Sequence, residues 1–180
     1  MTGTTRRHLV LVGLMGTGKT TVGTRLAARL GRPFVDTDAL VEAETGERVA
    51  DIFAARGEPA FRALERDAVA RAARAETPAV VACGGGAAMD PENRRVLREH
   101  GVVVWLDAPA SELAARTAAA SGTRPLLGDG DAAATLTRLA AERHDAYAEI
   151  ADARVDTAGR DPEAVVDARS EEHTSELQSH

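Results

Sequence analysis

The chain has one cysteine, Cys83, one lysine, Lys19, and no apolar run that approaches the length of a membrane span. A single thiol excludes an internal disulfide framework and fits a reducing compartment. Without about 20 consecutive apolar residues there is no candidate transmembrane helix, and Met1 to His8 lacks the apolar core of a secretory signal. The expected location is therefore cytoplasmic. Positive charge is also short, because 22 Lys and Arg against 28 Asp and Glu leave a net charge of −6. Nucleic acid and anionic membrane both call for a basic face, so neither is expected as a partner. His8, His100, His144, His173 and His180 show no metal-ligand spacing and read as structural or solvated. A length of 180 residues accommodates one well-filled domain and is short for two.

The scarcity of lysine points to the one place where lysine is kept. Lys19 lies in G-L-M-G-T-G-K-T, residues 13–20, which fits the phosphate-binding pattern G-x-x-x-x-G-K-[ST] in full. The apolar run Leu9 to Val12 before it reads as a strand, and a helix follows from Lys19. Glycines at the turn let successive N–H groups point into one concavity, where they meet phosphate oxygens. Lys19 reaches the outer phosphates as a compact charge, for which a planar guanidinium is a poor replacement. Thr20 offers a hydroxyl to a magnesium ion, as the chemistry of phosphoryl transfer requires.

The remaining pattern alternates strands with helices. Val22, Leu26 and Leu30 have helical spacing and stop at Gly31 and Pro33, and Phe34 to Asp36 reads as a second strand. Short joints between strand, helix and strand imply right-handed crossovers and a parallel sheet. Residues 39–74 read as helices broken at Gly46 and at Gly57-Glu58-Pro59. Strands follow at Ala79–Ala82, Val102–Leu106 and Arg154–Asp156, with helices from Asp90 to His100, from about Pro109 to Ala119 and from Ala132 to Ala148. Trp105 sits in a strand that is apolar on both faces, so it is placed in the core. Residues 121–131 are too rich in glycine for a packed element and carry a lone arginine, Arg124, as a mobile lid would.

Three further groups of residues carry two readings each. Asp36-Thr37-Asp38 closes the second strand, where open α/β sheets bind ligands, and both carboxylates can project from an extended chain. The pair suits a metal and an acceptor hydroxyl, and the alternative is an aspartate capping a helix that opens at Ala39. Gly84-Gly85-Gly86 directly follows the third strand, which implies either a ligand pressed against backbone or a flexible turn. Arg62 and Glu65 lie three apart on a helix and can pair, and such a pair taken alone is a solvated surface ion pair.

Taken together, G-L-M-G-T-G-K-T, D-T-D at 36–38, F-R-A-L-E at 61–65, G-G-G at 84–86, V-W-L-D at 104–107, R-P-L-L at 124–127 and the Arg143 to Tyr147 spacing resemble the shikimate kinase family. The resemblance covers about Leu9 to Val166. It implies an α/β, three-layer P-loop kinase fold: a five-stranded parallel sheet in the order 2-3-1-4-5, helices on both faces, a lid, and a separate helical region for the acceptor. It also implies ATP-dependent phosphorylation of the 3-hydroxyl of shikimate, giving shikimate 3-phosphate and ADP on the route to aromatic amino acids, by a monomer with magnesium as cofactor.

Carried over by position, the resemblance implies that Gly16, Thr17, Gly18, Lys19, Thr20 and Thr21 hold the ATP phosphates. Thr20 would hold magnesium, with Asp36 supporting it through water, and Asp38 would contact the acceptor hydroxyl. Arg62 and Arg143 would hold the acceptor carboxylate with backbone help from Gly84, Gly85 and Gly86. Arg124 would swing in with the lid, and Arg116 and Arg160 would lie near the adenine. Lys19, Asp38 and Arg124 would be the catalytic set. An anionic hydroxy acid as acceptor accounts for these arginines, since a buried guanidinium without a partner is costly.

Two other functions compete. A kinase for another polyol acid, such as gluconate, would share the phosphate cradle, but D-T-D with F-R-A-L-E argues against it. A non-catalytic ligand-sensing domain of the same type would need a partner domain for which the chain has little length. Beyond about Ala168 the helical pattern breaks, because Arg169, Glu172 and His173 stand where apolar residues are called for. Residues 169–180 also resemble the read-through translation of a sequencing-library adapter, so the expected organisation is a single domain over 1–168 and a non-native tail. The alternative is a natural polar tail.

Overall fold

The structure is a computed structural model that describes residues 7–119, 131–165 and 167. The segment expected to form a lid, apart from Asp131, lies outside these residues with Arg124, and so does the tail at 169–180.

Five strands, β1 (His8–Val12), β2 (Phe34–Asp36), β3 (Val80–Ala82), β4 (Gly101–Asp107) and β5 (Ala153–Asp156), form one parallel sheet in the order β2-β3-β1-β4-β5. The order and the parallel sense are those expected. β1 is central, with Leu9 opposite Val80 on one side and Val102 on the other. Successive side chains of a strand face opposite ways, and β1 is buried at every position and apolar from Leu9 to Val12, so it feeds two cores. Val10 and Val12 join Val81, Val103 and Trp105 on one face. Leu9 and Leu11 join Val80, Val104 and Leu106 on the other, where Val22, Leu26 and Ala27 cover them. Those three belong to α1 (Lys19–Leu30), which ends as expected on Gly31 in the left-handed region.

Between β2 and β3 the chain forms α2 (Thr37–Thr45), α3 (Val49–Arg56) and α4 (Glu58–Arg74). Gly46 and Gly57 separate them with positive φ values of 71° and 81°. Val41, Ile52, Phe61 and Ala68 give these helices a small core of their own. A 3-10 turn at Ala87–Met89 then leads to α5 (Pro91–His100), and α6 (Ala110–Ala119) and α7 (Ala132–Ile150) follow β4. Trp105 is 5% exposed, in the core as placed from the sequence. No helix among the described residues is long and apolar enough to cross a membrane.

β2 ends at Asp36, two residues short of the strand end at Asp38 that would put both carboxylates on one extended face. Asp36 is itself the helix cap, its Oδ1 accepting from the Asp38 and Ala39 N–H groups at 2.9 and 3.1 Å. The helix therefore opens at Thr37 rather than Ala39, and Asp38 stands in its first turn. The capping bond lets the helix start sooner, and the turn brings the two carboxylates together.

His8 closes the opposite end of the sheet. Its Nδ1 accepts from the Ala79 N–H at 3.2 Å, which leaves Nε2–H to donate to the Ala75 carbonyl at 3.1 Å. Only the neutral ring satisfies both partners. Burial lowers the His8 pKa; the Ala75 bond opposes that and the neighbouring Arg7 adds to it. The unfolded chain then takes up the proton first. His8's contribution to stability is complete above about pH 6.5 and is lost as the pH falls through the lower folded value. His8→Gln is expected to lower the melting temperature at pH 8 and to flatten the wild-type decline between about pH 7 and 5. Parallel melting curves for the two proteins over that range would remove His8 as the titrating group.

Candidate active site

The carboxyl ends of β1, β2 and β3 open into one cavity of about 830 Å³. Gly16 and Gly18, with φ of 84° and 91°, turn the chain from β1 into α1. A side chain at Gly16 would also crowd α6, since a Cβ there meets Thr117 Oγ1 at 3.0 Å. Thr17 is buried and its hydroxyl donates to the Leu14 carbonyl at 2.8 Å, so its side chain braces the loop. The Lys19 ammonium is folded into the loop, donating to the carbonyls of Gly13 and Leu14 at 2.7 and 2.9 Å. Thr20 and Thr21 are exposed at the start of α1 and line the cavity. Thr20 Oγ1 donates to Asp36 Oδ2 at 3.3 Å, so the hydroxyl and carboxylate that the sequence resemblance assigns to magnesium stand side by side. Among the described residues no group of three or more His, Cys, Asp or Glu is placed to hold a metal. That donor set suits magnesium, which keeps several waters and takes one or two protein oxygens beside substrate phosphates.

Arg116 and Arg160 line the same cavity beyond the loop. The Arg116 guanidinium donates to the Gly16 carbonyl at 3.3 Å and to the Thr157 carbonyl at 2.9 Å, and it pairs with Glu112. Pro162 and Val165 complete this end, and neither was counted among the site residues expected from the sequence.

At the other end, four charged side chains converge on Gly84-Gly85-Gly86. A Cβ at Gly84 would stand 2.7 Å from Asp38 Oδ1 and 2.8 Å from Glu65 Oε2. One at Gly85 would meet Arg143 Nη1 at 3.1 Å, and one at Gly86 would meet Arg62 Nη2 at 2.5 Å. The three glycines are bare because the side chains of the site press against them. Asp38 Oδ1, Glu65 Oε2 and Arg143 Nη1 are all buried and have no hydrogen-bond partner among the described residues. Burial, reinforced by Asp36 and Glu65, raises the Asp38 pKa from the usual carboxylate range to about 6. Glu65 is raised for the same reason, against the pull of Arg62. Cys83 lies beneath the cluster, and burial pushes its thiol far above its ordinary value, which keeps it protonated.

Arg62 and Glu65 are not a solvated pair, because the Glu65 side chain is only 2% exposed. Glu65 Oε1 accepts from Arg62 Nη1 at 2.8 Å, and Glu58 Oε1 accepts from Nη2 and Nε at 3.0 and 3.2 Å. Phe61 and Phe53 lie 5.3 and 6.0 Å from the guanidinium carbon and fix its plane. Those bonds occupy three of the five guanidinium N–H groups. One remains on each terminal nitrogen, the pair that a carboxylate takes two-pronged. Glu65 was read from the sequence only as a partner of Arg62 and not as a site residue, although a signal was present: it falls on the buried stripe of α4 with Phe61, Ala68, Val69 and Ala72. A glutamate in an apolar stripe is there for a partner. Thr37 was also missed. It is fully buried and accepts from the Gly84 N–H at 3.1 Å, tying the glycine run to α2.

A sequence model of the shikimate kinase family matches residues 15–173. A shikimate kinase from Symbiobacterium thermophilum is 53% identical over 161 residues, which covers 88% of this chain and 91% of that one. One from Gloeobacter violaceus is 49% identical over 154 residues, covering 86% and 85%. Among solved structures, shikimate kinase from Acinetobacter baumannii in complex with shikimate superposes with a TM-score of 0.87 at 34% identity, covering 98% of this chain and 96% of that one.

Proposed function

This chain belongs to the shikimate kinase family, and on that premise we propose how its residues divide the work of the reaction. It is an ATP-dependent kinase that phosphorylates shikimate. The observation that carries the assignment is the set of three unpartnered buried atoms, Asp38 Oδ1, Glu65 Oε2 and Arg143 Nη1, gathered on Gly84-Gly85 in the cavity that also holds the phosphate loop. Two carboxylate oxygens call for hydroxyl donors and a guanidinium calls for an anion, which together describe a polyhydroxy acid.

In this reading the N–H groups from Gly16 to Thr21 and the Lys19 ammonium hold the ATP phosphates, and Arg116 and Arg160 flank the adenine. Arg62 and Arg143 grip the acceptor carboxylate. Asp38 accepts the proton of the 3-hydroxyl as that oxygen attacks the terminal phosphorus. Thr20 directly, and Asp36 through water, would hold magnesium, which when bound with ATP neutralises phosphate charge. Arg124 would add charge near the transferred group, an assignment that rests on the sequence resemblance alone. Each assigned residue comes from one chain, so a monomer suffices, and a lone buried thiol suits the cytoplasm.

ADP release measured with shikimate, quinate, gluconate and nucleoside monophosphates tests the acceptor. Shikimate is expected to exceed the others by at least about a hundredfold in kcat/KM, because a site built to pair buried polar groups rejects ligands that leave them unpaired. Comparable turnover of gluconate would overturn the assignment. Arg62→Lys keeps the charge and loses the two-pronged geometry, so the shikimate KM should rise about tenfold or more and the ATP KM should stay. Equal changes in both would leave Arg62 as only a structural partner of Glu65.

A further inference from the structure

Tyr147 is the most deeply buried aromatic residue of the chain, 2% exposed, yet its hydroxyl is not left to the core. It donates to the carbonyl of Gly85, 62 residues away in sequence. Arg143 stands one turn earlier on α7 and its guanidinium interacts with the same hydroxyl, opposing the rise in the Tyr147 pKa to about 12 that burial causes. The phenol oxygen therefore holds the same residue, Gly85, against which Nη1 of the arginine assigned to the acceptor carboxylate lies, 3.1 Å from where a Cβ would stand.

The rest of the glycine run is pinned in a matching way. The Gly84 carbonyl accepts from Ala87 N–H and the Gly86 carbonyl from Met89 N–H, both at 3.0 Å. Asn93 and Arg94 of α5 hold the carbonyls of Ala87 and Ala88 at 3.0 and 2.7 Å. Among the described residues the Gly85 carbonyl is held only by Tyr147. Among the described residues the N–H groups of Gly85 and Gly86 have no hydrogen-bond partner. All peptides here are trans, so fixing the Gly85 carbonyl fixes the Gly86 N–H in the opposite direction. On its other side the Tyr147 ring packs on Trp105 of β4, with centroids 5.5 Å apart. The hydroxyl thus refers the loop to the sheet through a rigid ring.

We propose that Tyr147 is a positioning residue of the acceptor site, whose hydroxyl sets the Arg143 guanidinium and the Gly85-Gly86 peptide at the separation that one carboxylate bridges. This rests on the reading of Arg143 and Gly84-Gly85-Gly86 as the acceptor-carboxylate site. A purely packing role for Tyr147 would live in the ring, which Tyr147→Phe keeps. A positioning role lives in the hydroxyl, which Tyr147→Phe removes, leaving the half-buried Gly85 carbonyl without its tyrosine donor.

Steady-state kinetics with shikimate and ATP varied in turn, for wild type, Tyr147→Phe, Arg143→Lys and the double variant, tests this. Tyr147→Phe is expected to raise the shikimate KM about tenfold, to leave the ATP KM within about twofold, and to change kcat by less than about threefold. In the Arg143→Lys background the same substitution should raise the shikimate KM by less than about twofold, because both residues serve one clamp. An unchanged shikimate KM in Tyr147→Phe, equal changes in both KM values, or full additivity in the double variant would overturn the proposal. Arg143→Lys alone separates the two possible failures. If it leaves the shikimate KM unchanged, the acceptor-site reading falls and the role of Tyr147 falls with it. If it raises that KM while Tyr147→Phe does not, only the role of Tyr147 falls.

Discussion

Lys19→Met is expected to lower kcat by at least about a hundredfold and to leave the melting temperature of the ligand-free protein within a few degrees of wild type. The two effects separate because the lysine stem and the charge do different things. Methionine replaces the stem with similar volume, and Lys19 is only half-buried, so little packing is lost. The ammonium donates to the carbonyls of Gly13 and Leu14, acceptors that water at the cavity mouth can satisfy when the charge is removed. Against ATP the loss is larger, since a preorganised charge contact in a phosphoryl-transfer site typically supplies about a hundredfold or more. The rise in melting temperature on adding ATP should shrink as well, because a ligand that binds only the folded state stabilises in proportion to its affinity. Retention of more than about a tenth of the wild-type kcat would remove Lys19 from the phosphate site. A collapse of the ligand-free melting temperature would show instead that the ammonium braces the loop.

The parts of the site that could be read from the sequence are those where backbone does the binding. The phosphate loop is legible because its glycines, lysine and threonine work at fixed spacing on one continuous turn, and the structure finds the same spacing wrapped round the cavity mouth. The sheet is legible from apolar runs of strand length separated by helices. The proposed acceptor region was only half legible, because its side chains come from α2, α4 and α7, converge on the turn after β3, and meet only after folding. Asp36 and Asp38 were found as a pair, but on the wrong geometry, since a capping bond turns the chain two residues earlier than strand periodicity assumes. The glycine run was read as room for a ligand, whereas its bare Cα atoms first of all admit Asp38, Glu65, Arg143 and Arg62. Glu65 was taken for a surface partner because a three-residue spacing says nothing about which face of a helix is buried.

Asp38→Asn is expected to lower kcat about a hundredfold or more while raising the melting temperature at neutral pH. The rate effect follows from the proton: an amide cannot accept it from the acceptor hydroxyl, and general-base assistance is worth roughly 10²–10⁴. The stability effect follows from what the carboxylate endures in the free enzyme. Its Oδ1 is buried without a partner beside Gly84, near two other carboxylates, Asp36 and Glu65. Its pKa is consequently raised to about 6, above the unfolded value. A raised carboxylate pKa means that the folded state binds the proton more tightly than the unfolded one. The fold is then relieved of the ionised group below the unfolded pKa and bears the full cost above about pH 6. Asparagine removes the charge at every pH but keeps a buried polar group, so the net gain is on the order of 1–2 kcal/mol, a few degrees in melting temperature. The gain should be largest at pH 7 to 8 and should shrink towards zero near pH 4, a trend opposite in sign to that of His8. The same pKa should appear in wild-type kinetics as an acid limb of kcat/KM near pH 6, because that ratio reports groups of the free enzyme. An unchanged kcat in Asp38→Asn would exclude the residue from proton transfer. A melting temperature that falls at pH 7.5 would show that Asp38 is held in place by bonds that stabilise the fold, and that the cost of burying it is met within the protein rather than by the bound acceptor.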